Sequence, residues 1–244
     1  MIGLGTLVNM AAILIGSAVG LLFKEILKPR FKDTIMHALG LAVMFIGISG
    51  ALQGLLKIEK GNIETTNIIY MVITLAVGAF LGELIDIEAR LEHFGEFIKK
   101  TLKVRGEKGQ DFVEGFVSSS LLYCIGAMAI IGALKDGLTG NISTLCAKAI
   151  IDGTVSVFIA STLGIGVFFS IIPLGIYQGF ITLAAKFVEP FLKDELILNV
   201  SFIGSVIIFG IGINMIFGKK IKCGNLLPAV LLPVFYELIK GFFT

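Results

Sequence analysis

The sequence predicts an all-α integral membrane protein, a transmembrane helical bundle of about eight spans. Of its 244 residues, 56% are hydrophobic and only 16% charged, and the mean hydropathy is +0.96. Several apolar runs reach about 18 residues or more, the length a helix needs to cross roughly 30 Å of hydrocarbon. These runs are continuous, without the short alternating segments of a membrane β-barrel.

The first run, "LGTLVNMAAILIGSAVGLLF" at 4–23, lacks the basic start and small-residue cleavage site of a signal peptide, so it reads as a retained span. Further spans are predicted at 35–56, 67–85, 112–134, 145–168, 172–188, 200–217 and 226–243. Only "FSIIP" separates the fifth from the sixth, and the sixth is short, so a seven-span or re-entrant arrangement stays open. The whole of 1–244 reads as one integral membrane domain. Within it, 86–104 forms an amphipathic helix on the inner face, because Ile87, Leu91, Phe94, Ile98 and Leu102 recur at helical spacing opposite charged residues. His93 lies on this helix and needs no catalytic role.

Charge orients the bundle. An N-terminus outside places three basic groups in inner loops: Lys24, Lys28, Arg30 and Lys32; Arg90, Lys99, Lys100, Lys103, Arg105 and Lys108; and Lys219, Lys220 and Lys222. A net charge of +2, with no single basic patch, gives no sign of a nucleic-acid partner. The bilayer is the expected partner, with a small solute or ion and a homo-oligomer as further candidates. Cys124, Cys146 and Cys223 lie in different segments without metal-site spacing and read as free thiols. No cofactor or metal is expected. Shifted by 82 residues, the chain pairs "NIIYMVITLAVGAFLG" (67–82) with "AIIDGTVSVFIASTLG" (149–164), the mark of an internal parallel repeat.

The groups that could carry chemistry are few. On a helix, Thr144, Lys148, Asp152, Ser156 and Ala160 stack along one face. Lys148 lies near the outer end and can snorkel to water. Asp152 is about 10 Å below the start of its span, where a charge costs roughly 3 kcal/mol. Pairing with Lys148, protonation, or contact with a wet cavity would relieve it. The pair is thus either part of a solute or ion pathway or a structural ion pair. Asn9 in the first span and Asn214 in the seventh can serve that pathway or act as interhelical glue. Tyr177 and Gln178 follow Pro173 and lie between Gly175 and Gly179, a stretch that reads either as a discontinuous helix or as a kink. Glu83, Asp86 and Glu114 read as solvated span ends, and Glu237 as a partner for Lys240. Gly16-x-x-x-Gly20 and Gly78-x-x-x-Gly82 are helix-contact motifs.

"GTLVN", "FVEGF", "YCIGAMAIIGAL", "DGL", "KAIIDG", "ASTLGIGVFFS", "YQG" and "GNLLPA" occur in this order along nearly the whole chain. Together they resemble the YdfK/YqgA-type family of bacterial inner-membrane proteins, catalogued as a domain of unknown function. The resemblance implies a multi-pass bacterial plasma-membrane protein of seven or eight spans and supplies no substrate. H-E-x-x-H, Walker A and G-x-S-x-G are missing, so no enzyme is expected. The expected function is movement of a small polar solute or ion through a cavity between helices, by a transporter or channel-like protein. The alternative is a non-transporting membrane scaffold or sensor.

Overall fold

The computed structural model describes residues 2–24, 26, 28–59, 61–103, 108–188 and 194–243. Within these ranges, the side chains of 29, 108–110, 127, 188, 194 and 236–243 fall outside the description, and with them Glu237 and Lys240. The chain is an all-α polytopic bundle. Six helical segments among the described residues are long and apolar enough to cross a membrane: Leu4–Lys24, Arg30–Leu55, Ile68–Ile85, Ser143–Leu163, Gly166–Phe187 and Glu195–Phe217. A bent pair, Asp111–Cys124 with Met128–Thr139, raises the number to seven, and Cys223–Phe235 is a shorter apolar helix.

In chain order the helices are α1 (Leu4–Lys24), α2 (Pro29–Leu55), α3 (Ile68–Ile85), α4 (Ile87–Thr101), α5 (Lys108–Cys124), α6 (Ala127–Thr139), α7 (Ser143–Leu163), α8 (Gly166–Phe169), α9 (Ile171–Val188), α10 (Asp194–Phe217) and α11 (Leu227–Phe243). Four features differ from the sequence expectation. The fourth span is not one rod: α5 and α6 diverge by 60° at a break where Gly126 takes φ 128°, a conformation unfavourable for a residue with a Cβ. The fifth and sixth spans part at Gly164 (φ 80°) rather than at "FSIIP". Pro173 is accommodated near the start of α9, which then continues unbroken through Gly175 and Gly179. Finally, Leu56–Glu59 (β1) and Asn62–Thr65 (β2) form an exposed antiparallel hairpin, pairing Leu56 with Thr65 and Glu59 with Asn62.

The chain divides into two compact units that interleave in sequence. The first comprises Met1–Leu39, Ala89–Cys124 and Met128–Phe187. Its centre is the parallel pair α1 and α7. A Cβ on Gly16 would overlap the Gly153 carbonyl, and one on Gly20 the Val157 carbonyl. The small-residue motif therefore brings two backbones together within the chain, where lipid offers no hydrophobic drive and close packing must hold the helices. The start of α1 is held by Asp136 of α6. This fully buried carboxylate accepts the Gly3 N–H at 3.1 Å and the Gly5 N–H at 2.9 Å. An anion there satisfies donors that a helix N-terminus cannot pair itself and complements the positive end of the helix dipole. On α4, Phe94 packs edge-on to Phe116 of α5 with centroids 5.9 Å apart, while Phe97 remains 64% exposed.

The second unit comprises Gly40–Glu88, Ile125–Ala127 and Val188–Thr244. Gly40, Gly47, Gly50 and Gly54 of α2 contact Ile216, Phe209, Ser205 and Phe202 of α10 in turn, so the two helices run antiparallel. Gly78 and Gly82 of α3 meet Ala229 and the Asn225 carbonyl in the same close manner. Asp86, in the left-handed conformation, ends α3 and turns the chain into α4. A polar knot locks this corner. Glu88 accepts the Gly224 N–H at 2.8 Å and pairs with Lys219 at 3.0 Å, while its own N–H donates to Asn225 Oδ1 at 2.8 Å. Asn225 Nδ2 donates to Glu83 at 2.7 Å and, at 3.3 Å, to Asp86. Lys222 pairs with Glu83, whose hydrogen bond and charge push the ammonium pKa above its ordinary value.

Candidate functional site

The polar stripe of α7 faces inward. Lys148 and Asp152 are 6% and 5% exposed, and Ser156 and Ala160 are fully buried. The reason is local: i, i+4 spacing puts them on the face that carries Gly153, and that face packs on α1. Lys148 Nζ lies 2.6 Å from Asp152 Oδ2. The same oxygen accepts Asn9 Nδ2 of α1 at 3.1 Å. Asn9 Nδ2 also approaches Gln178 Oε1 of α9 at 3.5 Å, a long contact.

A second branch reaches α5. Ser156 Oγ donates to the Asp152 carbonyl at 2.7 Å, and Tyr123 OH lies 2.7 Å from that same Oγ. The serine's single proton is committed to the carbonyl, so the tyrosine must be the donor between the two hydroxyls. Helices α1, α5, α7 and α9 therefore converge on one buried cluster. Ile13, Tyr123 and Leu174 seal it with a fully buried apolar patch, against which Met10, Cys124 and Val155 pack. Burial would cost several kcal/mol per ion, and the mutual pairing and the asparagine donor offset part of that.

The cluster retains hydrogen-bonding capacity. Asn9 Oδ1 and Gln178 Nε2 are buried without a partner, one an acceptor and the other a donor, on residues with no solvent exposure. Thr6 Oγ1 and Thr182 Oγ1, each about one turn along α1 and α9, are in the same condition. A buried polar atom left unpaired costs about 1–3 kcal/mol, so a small polar guest or water that bridged these groups would be held favourably. Tyr123 lies one residue from the end of α5, three residues before Gly126 in the sequence. Interrupted helices of this kind flank the solute sites of many transporters.

Five of the residues singled out in the sequence meet here: Asp152, Lys148, Ser156, Asn9 and Gln178. Tyr177 is half-buried on the neighbouring face of α9. Asn214 belongs to the second unit, where it binds its own loop: Nδ2 donates to the Ile221 carbonyl at 2.7 Å, and Oδ1 accepts the N–H groups of Lys220 and Ile221 at 2.9 Å. Glu83 and Asp86 are exposed, as expected of solvated span ends, and also join the polar knot. Tyr123, Asp136 and Glu88 were not anticipated. Their partners are 33 to 137 residues away in sequence, and no local spacing announces them. Among the described residues no group of three or more histidine, cysteine, aspartate or glutamate side chains is placed to hold a metal ion.

A family model described as "Protein of unknown function (DUF554)" matches residues 4–238. The chain is similar to the "Uncharacterized membrane protein YdfK" of Bacillus subtilis (strain 168), at 31% identity over 229 residues, covering 94% of this chain and 93% of that protein. It is also similar to the "Uncharacterized protein YqgA" of Escherichia coli (strain K12), at 28% identity over 231 residues, covering 94% of each. No solved structure matches it. The chain belongs to the DUF554 family.

Proposed function

We propose, with membership of that family as the premise, that this membrane protein moves a small polar solute or ion through the first unit, past Asp152. The single observation that carries the reading is the buried Lys148–Asp152 pair, bound to the Asn9 amide that in turn approaches the Gln178 amide, both amides having unmet hydrogen-bonding capacity. A merely structural ion pair gains nothing from an unpaired acceptor and an unpaired donor at its side. A binding site does, because a passing guest supplies what they lack. The interrupted helix that carries Tyr123 supports the same reading. No catalysis is part of it. Purified protein in proteoliposomes, screened with monovalent ions, amides, polyols and amino acids, tests the proposal. Protein-dependent flux of at least one of these is expected. A screen without any such flux would leave the scaffold reading, which the exposed Phe94 and Phe97 of α4 favour.

The proposed setting is the bacterial inner membrane, with the N-terminus outside. Single cysteines at positions 63 and 93, in a cysteine-free background, check this. Ile63 on the hairpin and His93 on α4 are both exposed. In intact cells a membrane-impermeant maleimide should label position 63 and spare position 93. The opposite pattern would invert the topology.

A further inference from the structure

The second unit contains a groove of about 910 Å³ whose chemistry changes along its length. At one end lie Lys57 of the hairpin, Asn67 at the start of α3, and Glu195 and Asn199 of α10. Deeper along the helices the walls become Ile73, Val77, Leu232 and Phe235. Ile73, Val77 and Phe235 are 56%, 42% and 56% exposed, so the deep part opens sideways to the hydrocarbon surrounding a membrane protein. From Asn67 to Val77, at about 1.5 Å per residue, the groove descends about 15 Å, half of a hydrocarbon core of about 30 Å.

A second depression of about 600 Å³, lined by Phe45, Ile48 and Leu52 among others, shares Gln53 and Leu56 with the first. Two channels, the larger one polar at one end and apolar at the other, thus meet beside Gln53 and Leu56. Among the described residues that line it, the groove has one cation, Lys57, and one anion, Glu195, while Glu59 and Glu64 neighbour Lys57 on the hairpin. The internal alignment at an offset of 82 pairs Tyr70 and Thr74 of this groove with Asp152 and Ser156 of the first unit. The second unit has uncharged residues at both positions.

We propose that this groove is a binding site for one zwitterionic diacyl phospholipid. Its phosphate lies against Lys57, its ammonium against Glu195, and its acyl chains occupy the two apolar channels. Lys57 also pairs with Glu59 on the hairpin, which keeps the ammonium at the mouth while leaving it 63% exposed to a second anion. Depth, lateral opening and charge all favour this occupant. A soluble metabolite has no use for a lipid-facing wall, and a protein helix does not match two grooves that meet at one polar mouth.

The test uses the full chain, delipidated in detergent and titrated with palmitoyl-oleoyl phosphatidylethanolamine. Phosphatidylglycerol and diacylglycerol with the same chains serve as comparators, and native mass spectrometry and melting temperature as readouts. One phosphatidylethanolamine should be retained saturably, ahead of both comparators. Ile73→Trp narrows the channel from an exposed position, so the fold should keep its lipid-free melting temperature while affinity falls about tenfold. Glu195→Lys should reverse the preference toward phosphatidylglycerol, because the mouth then carries two cations. Equal retention of all three lipids, or unchanged affinity in Ile73→Trp, would overturn the proposal as mere annular lipid. A concentration-dependent dimer that protects the groove would also overturn it, by showing that a second copy occupies the site.

Discussion

Asp152→Asn should lower the proposed transport about a hundredfold. The substitution keeps the size of the side chain and an oxygen that can still accept from Asn9, but removes the charge facing Lys148. A hydrogen bond to a charged group is worth up to about 3 kcal/mol, so loss of one such contact with a passing guest lowers flux about a hundredfold. Stability changes too, because the Lys148 ammonium is left buried beside an amide, a loss of about 3–5 kcal/mol when one partner of such a pair is removed. The double variant Lys148→Met with Asp152→Asn separates the two effects. It removes both charges and should recover much of the lost melting temperature while flux stays low. Flux and detergent-solubilised melting curves for wild type and the two variants decide the matter. Normal flux in either variant, reconstituted at equal density, sinks the assignment of Asp152.

The second large effect is purely steric. Gly16→Leu should lower stability by about 3 kcal/mol or more, since the new side chain must occupy the Gly153 backbone rather than a movable neighbour. Gly20→Leu meets the Val157 carbonyl in the same way. Separating α1 from α7 also draws Asn9 away from Asp152, so flux falls with stability. Gly179→Ala is the control. A Cβ there meets nothing within 4 Å, and it sits inside α9, where alanine is the better helix former by about 1 kcal/mol. Its melting temperature should equal or exceed that of wild type. A Gly16→Leu protein that melts with wild type would show that α1 and α7 do not meet along this face.

What was legible in the sequence was what a single helix determines. The spans announce themselves by length, and Lys148, Asp152 and Ser156 share a face because four residues nearly complete a turn. The partners were not legible. Asn9 and Gln178 are polar residues in apolar runs, yet nothing local says that one amide reaches the Asp152 carboxylate while the other meets the first amide. The break at Gly126 was hidden for a different reason: it is one glycine among 30, and its positive φ is a tertiary outcome. Asp136 reads as an ordinary residue near a helix end until α1 is placed above it. Proline misled in the other direction, because Pro173 falls where a helix tolerates it.

The hold of Asp136 on Gly3 and Gly5 also imposes an order on synthesis. The start of the first span leaves the ribosome more than 130 residues before the carboxylate that completes it. Until α6 arrives, those N–H groups must find water or lipid headgroups, and Asn9 waits still longer for α7. The early helix is thus held in the bilayer by hydrophobicity alone, and the late helices anchor it. Assembly of the first unit runs backwards along the chain: the last helices made give the first one its final place.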